Sequence, residues 1–272
     1  VPDARLFNYV SSFFETTFKN LAEKTRSVID FSFAGFLFRF LREPIYSLFC
    51  KYPTNFLPED CANGKIILIN LPVKLYHKAG RDCQILFKYI WQRAMERRPI
   101  IENSRPVFLW ADEAQHFLHE HDAEYQATAR SSRIATVYIS QNLPNYLANL
   151  DGDRAENKVR SFLGTLGTKI FHANADTETN KYASELIGDG IYADVSRTTT
   201  AFERNPTSRT ESVRIDRLVR PEEFAQLKTG SPSNYFEAEA YMHVQGNTFR
   251  DSGNYRKVPF SQKFFPNKNE QK

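Results

Sequence analysis

Glycine is scarce in this chain. There are 11 among 272 residues, well below the average usage of about 7%, so few stretches can wrap backbone closely around a phosphate or another ligand. Cysteine is scarcer still: Cys50, Cys61 and Cys83 are odd in number and show no C-x-x-C spacing, which argues against a disulfide framework or zinc ribbon and fits reduced thiols in a cytosolic compartment. Long apolar runs are missing. The most apolar stretch, Phe31 to Leu41, contains Arg39 and follows Asp30, well short of the roughly 20 apolar residues of a membrane helix. Val1 is not followed by the basic flank and apolar run of a signal peptide, and without an initiator methionine the chain is expected to start partway through a longer protein. Nor is there an excess of one charge. Lys and Arg number 36 against 32 Asp and Glu, a net charge of +4 that neither demands nor excludes a polyanionic partner.

What remains is an ordinary globular composition, 41% hydrophobic and 25% charged, long enough for one large domain or two modest ones. Over the first sixty residues, Leu6, Phe7, Val10, Phe13, Phe14, Phe18 and Leu21 recur at spacings of three and four, as do Phe33, Phe36, Leu37, Phe40 and Leu41 before Pro44. This rhythm predicts helices with an aromatic core face. From Lys65 strands and helices alternate, the pattern of a mainly parallel sheet covered by helices. The predicted strands are Ile66–Leu71, Val107–Ala111, Thr136–Ser140 and Thr168–His172, each of the kind buried on both faces. The predicted helices are Arg81–Arg97, one within Asp122–Ser132, Arg154–Leu163, and Thr177–Ile187 stopped by Gly188. Ile191 to Arg217 reads as a polar surface excursion, Pro221–Leu227 as a short helix, Tyr235–Val244 as an edge strand or hairpin arm, and the tail from Asn267 as frayed.

The chemistry concentrates in Pro106-Val-Phe-Leu-Trp-Ala-Asp112-Glu113-Ala-Gln115. An apolar strand ending in two adjacent carboxylates delivers acids to the carboxyl edge of a sheet, where ligands bind in α/β folds. Nucleotide hydrolysis needs two such acids, one to hold magnesium through its water shell and one to orient the attacking water. The same pattern also serves simply to cap a following helix. The next strand, Ala135-Thr-Val-Tyr-Ile-Ser140, ends in Gln141-Asn142, which puts amides at the same edge; such an amide can sense a terminal phosphate, or merely begin a loop.

In order, strand-Asp-Glu, strand-Ser-Gln, the helix bearing Asn157-Lys158-Val159-Arg160, strand-Asn174-Ala-Asp176, and a helix running to Glu185-Leu-Ile-Gly188 resemble the ATPase domain of conjugative type IV coupling proteins of the TraG/TraD type. These belong to the RecA-like group that includes the FtsK and HerA translocases. Asn63 to Pro72, before a helix ending in Arg97-Arg98, and Leu218 to Phe224 fit as well, so the resemblance spans roughly Lys24 to Val244. It implies a RecA-like α/β fold, with a helical segment over 1–60 that packs on the motor domain and the downstream part of that domain over 61–272. It also implies ATP and Mg2+ as cofactors. Asp112 would be the magnesium-side carboxylate and a nucleotide contact, Glu113 the base or water-orienting group, and Gln141 the sensor and a second nucleotide contact. Arg160 would be the finger reaching a neighbouring subunit's nucleotide, with Arg133 and Arg130 as competitors. The implied whole is a homo-hexamer at the bacterial inner membrane that moves DNA non-specifically through its pore toward secretion and relaxosome partners, its membrane anchor lying outside this chain.

One departure from the family is severe: no G-x-x-x-x-G-K-[ST] loop occurs anywhere in the sequence. Gly64-Lys65 is followed by Ile66, and Gly164-Thr-Leu-Gly167-Thr-Lys169 has the wrong spacing. Two readings follow: the downstream part of a longer motor, or a non-catalytic scaffold that recruits secretion substrates. Two further clusters invite attention. His116, His119, Glu120, His121 and Asp122 could in principle hold a metal, though His121 leaves the face that His116 and His119 share, so an exposed polar loop is the simpler expectation. The arginine-rich Arg197 to Arg220 segment could touch phosphates or a neighbouring subunit, or be a solvated loop.

Overall fold

The computed structural model describes residues 3–50, 52–119, 121–149, 155–199, 207–250 and 253–263. The expected tail from Asn267 and Glu120 of the histidine cluster lie outside them. The chain divides into two compact units, Val1–Arg105 and Pro106–Lys272.

In the first unit Asp3 caps α1 (Ala4–Ser12) by accepting the Arg5 N–H at 3.0 Å. A π-helical turn, Phe13–Phe18, precedes α2 (Glu23–Leu37) and the short α3 (Ile45–Phe49). The helical reading holds, but the aromatic stripe is not a core face: neither α1 nor α2 buries any residue, and Phe7 and Phe31 are 67% and 81% exposed. Periodicity fixes which side chains share a face, not whether anything covers it. The small core of this unit instead gathers Ile45, Leu71 and Cys83, with Phe40, Phe49 and Tyr76 against them. Burial pushes the Cys83 thiol up to about 11, so it is a packing residue rather than a nucleophile. The strand expected at Ile66–Leu71 does not form. Ile66 and Leu68 are 95% and 85% exposed, and the segment is tied instead through the Leu71 carbonyl, which accepts from Gln84 Nε2 at 2.6 Å. Helix α4 (Val73–Arg97) begins before the expected Arg81, because it continues across a kink at His77 (φ 46°, ψ −135°). Gly80 allows that start: a Cβ there would lie 2.6 Å from Tyr76 Cβ.

The second unit opens with β1 (Val107–Ala111), a 3-10 turn at Ala114–His116, α5 (His121–Ala129) and β2 (Ile134–Tyr138). β1 and β2 pair in parallel, from Val107 with Ile134 to Ala111 with Tyr138. Helices α6 (Leu143–Asn149) and α7 (Ala155–Thr165) complete this part, whose core is Ala111, Ala114, Leu118, Tyr146, Val159 and Phe162. The Tyr138 ring meets Phe162 edge to face at 4.9 Å. β1 is not buried on both faces as expected: Phe108 and Trp110 are 60% and 67% exposed.

Next come β3 (Thr168–His172), α8 (Thr177–Ile187), β4 (Asp189–Thr199), β5 (Thr207–Arg217), α9 (Pro221–Ala225), a 3-10 turn at Pro232–Asn234, β6 (Glu237–Val244) and β7 (Tyr255–Ser261). β3 does not extend the parallel pair. It lies antiparallel to β6, which pairs β7 on its other side, so β6 is a hairpin arm, one of the two expected forms, and a central strand rather than an edge. β7 went unread because Pro259 interrupts its pattern, a residue tolerated on an outer strand where no ladder N–H is needed. Ala183, Ile187, Val219, Phe224, Leu227 and Tyr241 form the second core. The expected polar excursion, apart from residues 200–206, which lie outside the described ones, is a regular two-stranded antiparallel ribbon of β4 and β5. Its Thr, Val and Ile residues favour the pleated backbone, and Ile191 is paired with Ile215. Among the described residues no helix is long and apolar enough to cross a membrane.

Candidate functional site

The β1 and β2 strands run in the same direction, so the residues that follow them, Asp112-Glu113 and Ile139-Ser-Gln141, emerge at one sheet edge. Two backbone bonds staple that edge together: Ile139 N–H to the Ala111 carbonyl at 2.9 Å, and Ala114 N–H to the Ile139 carbonyl at 2.8 Å. Between them Glu113 adopts a left-handed backbone (φ 50°, ψ 44°), which turns the chain out of the strand direction.

The turn separates the two acids. Asp112 is exposed, and its Oδ1 accepts the Glu113 N–H at 3.0 Å. Glu113 is half-buried and held on both carboxylate oxygens: Gln141 Nε2 donates to Oε1 at 3.0 Å, and Gln115 Nε2 donates to Oε2. The donors differ in exposure, for Gln141 is exposed whereas Gln115 is 3% exposed.

Gln141 is itself anchored. Its carbonyl accepts from Asn174 Nδ2 at 2.7 Å, and Asn174 is fixed in turn by Asn180 Nδ2 on its carbonyl at 2.9 Å and by the Asp176 N–H on its Oδ1 at 2.8 Å. Asp176 caps α8 through the Thr179 N–H at 2.8 Å and hydroxyl at 2.6 Å. These Thr179 bonds hold the Asp176 carboxyl below its ordinary range. Thr179 Oγ1 also accepts the Leu143 N–H at 2.9 Å, which ties the start of α6 to α8. A chain of hydrogen bonds thus runs from the Glu113 carboxylate to the start of α8.

The structure joins Glu113 to Gln141 and leaves Asp112 next to them at the same sheet edge, but it does not bring the arginines there. Arg160 stands on the exposed face of α7, opposite buried Val159 and Phe162, and is ion-paired with Glu156 at 2.8 Å. Arg133 precedes β2, where its carbonyl accepts the Val107 N–H at 3.1 Å. It therefore sits at the other end of the strands, opposite Pro106 and about 20 Å from the acids along the strand. Arg130 lines a separate cleft of about 530 Å³ at that same end, with Gln126, Thr136 and Thr165.

The histidine cluster is not an exposed polar loop throughout. Asp122 is 1% exposed, with its Oδ2 accepting the His119 N–H at 2.6 Å while its own N–H donates to the His119 carbonyl at 3.0 Å, a reciprocal turn that fastens the start of α5. At the base of the ribbon the arginines are neutralised within the unit: Arg217 meets Asp189 at 2.9 Å, and Arg220 bonds Asp216.

Two residues given no site role by the sequence, Gln115 and Asn174, take part in this network. An amide two places after the acid pair was the available signal for Gln115, but only the 3-10 turn shows that it folds back onto Glu113.

One exposed carboxylate, Asp112, is the kind of hard oxygen donor that a cation keeping most of its water would use. It does not complete a nucleotide site, since no glycine-rich phosphate loop exists in the sequence.

Residues 106–229 match the family described as the TraM recognition site of TraD and TraG. No curated protein matches the chain. Among solved structures, the unbound bacterial conjugative coupling protein TrwBdeltaN70 matches with TM-score 0.51 and 18% identity over 70% of this chain and 38% of its own. The plasmid coupling protein TrwB in complex with the GTP analogue GDPNP matches with TM-score 0.46 and 18% identity over 70% of this chain and 37% of its own, and the complex with ADP and Mg2+ with 0.45 and 18% over 66% and 36%. The chain thus spans well under half of these structures' length. The TrwBdeltaN70 match identifies the fold as α/β of the RecA-like kind.

Proposed function

We propose that this chain, whose residues 106–229 match the TraM recognition site of TraD and TraG, supplies the acid side of an ATPase motor that feeds DNA or a protein–DNA substrate to a type IV secretion or conjugation channel. One observation carries the reading: Glu113 is bonded to Gln141 from the neighbouring strand, at the carboxyl edge of a parallel pair and beside an exposed Asp112.

In this reading Asp112 holds hydrated magnesium, which shields phosphate charge when bound. Glu113 Oε1 orients a water and takes its proton, a role worth about 10² to 10⁴ in rate. Gln141, being exposed and bonded to that same oxygen, reports whether the position is occupied. Arg160 is exposed on α7 and ion-paired with Glu156 of the same helix, which suits a finger offered to a neighbour in a hexamer. Residues 61–272, which contain the whole second compact unit, are the downstream part of the motor, and residues 1–60 are an accompanying helical segment. Phosphate binding and attachment to the bacterial inner membrane would come from segments outside these residues. DNA in the pore and relaxosome proteins are the partners that this role requires.

The test compares two polypeptides. The 272 residues alone should hydrolyse no ATP, whereas a polypeptide joining them to a phosphate-binding loop should do so, faster when DNA is added. The missing loop favours a second reading, a non-catalytic scaffold for secretion substrates. That reading takes over if the longer polypeptide is also inactive yet captures relaxosome proteins.

A further inference from the structure

Gln115 makes a bond that its surroundings do not require for packing. It sits in the 3-10 turn Ala114–His116, beside Ala114, which is 1% exposed and belongs to the core of Tyr146 and Phe162. An apolar side chain of similar size would fill the same space. Instead an amide is buried there, its Nε2 spent on Glu113 Oε2 while its Oε1 is buried with no hydrogen-bond partner among the described residues. Leaving an amide oxygen unpaired in the interior is costly. The side chain accepts that cost because only its N–H end can meet a carboxylate.

The two amides on Glu113 are therefore unequal. Gln141 is exposed and can swing out into solvent without breaking anything buried; Gln115, enclosed, cannot. We propose that Gln115 is a positioning residue that permanently occupies Glu113 Oε2 and fixes the carboxylate's direction, leaving Oε1 as the working oxygen that exchanges Gln141 for water. The assignment of Oε1 rests on the hydrolytic reading above; the fixed Gln115–Glu113 contact does not. Glu113 has a left-handed backbone at a turn, and a bond to an enclosed amide narrows the directions its side chain can take. A base that must be aligned with its water gains from having that freedom removed beforehand.

Two measurements test this. In the first, the side-chain amide resonances of Gln115 and Gln141 are followed by NMR in the 272-residue protein. The Gln115 hydrogens should exchange with water at least about tenfold more slowly than those of Gln141 and should shift on Glu113→Ala. Exchange as fast as that of Gln141, or indifference to Glu113→Ala, overturns the contact. In the second, Gln115→Met, which keeps the volume and removes the donor, is introduced into the hydrolysing polypeptide. It should lower kcat about tenfold with KM unchanged and with the same circular dichroism; an unchanged kcat overturns the positioning role. Should the unmodified polypeptide fail to hydrolyse ATP, the motor reading falls, and the resonances alone decide the Gln115–Glu113 contact.

Discussion

Gln141 Nε2 donates to Glu113 Oε1 at 3.0 Å, joining residues 28 apart in sequence across the edge of two parallel strands. This bond turns two separate strand endings into one site. It depends on the Ile139–Ala111 and Ala114–Ile139 backbone bonds, which fix how far each strand projects.

Because Asn174 Nδ2 holds the Gln141 carbonyl at 2.7 Å, Asn174→Ala should loosen Gln141 without touching the acids. Hydrolysis by the motor should fall by about tenfold, and stability by about 1 kcal/mol for the lost hydrogen bonds. Steady-state kinetics and urea unfolding on the same preparation separate the two effects. Full activity with intact folding would show that Gln141 needs no anchor.

The arginines make opposite predictions. Arg160→Ala should reduce hydrolysis by roughly 10³, and mixing those subunits with Glu113→Gln subunits should restore part of it, as for a finger supplied in trans. Arg133→Ala, at the far end of the strands, should stay within about twofold of the starting rate. A deeper loss from Arg133→Ala than from Arg160→Ala reverses the assignment.

Phe162 is 2% exposed and touches Tyr138 and Tyr146 behind the site. Phe162→Ala should destabilise the protein by about 3–5 kcal/mol, read from chemical denaturation. A loss below about 1 kcal/mol would mean that this core can collapse around the gap.

His243 on β6 is buried, and burial first and the nearby Lys169 second lower its pKa from 6.5. The unfolded chain therefore binds this proton more readily than the folded one, so stability should fall as pH drops through 6.5 toward the lowered value and rise again on returning to neutral. His243→Gln should flatten that dependence in thermal unfolding between pH 7 and pH 5. An identical slope in the variant would remove His243 as its source.

The sequence made the acid edge legible because a short apolar run ending in Asp112-Glu113 and a second ending in Gln141 leave little choice of direction once they pair in parallel. Where β3 would pair was not legible. Thr168–His172 looks the same whether its neighbour is β2 or β6, and only the partner's register decides. The ribbon was misread because Ser, Thr and Arg look like loop residues, whereas the alternation of Ile191 with Ala193 and of Val213 with Ile215 is what the antiparallel pairing uses. The aromatic stripe of α1 announced a helix and overstated its burial, since a repeat carries no information on what lies opposite it. Gln115 stayed hidden for a related reason: its role arises from a 3-10 turn that local propensity does not specify.

In the proposed motor, Glu113 is the water-orienting base. The most direct measurement is phosphate release by Glu113→Gln in the polypeptide that includes a phosphate-binding loop, alongside the binding of a fluorescent ATP analogue. Turnover should fall by at least about a hundredfold while the analogue binds as tightly as before. Undiminished turnover with equal binding would contradict the account.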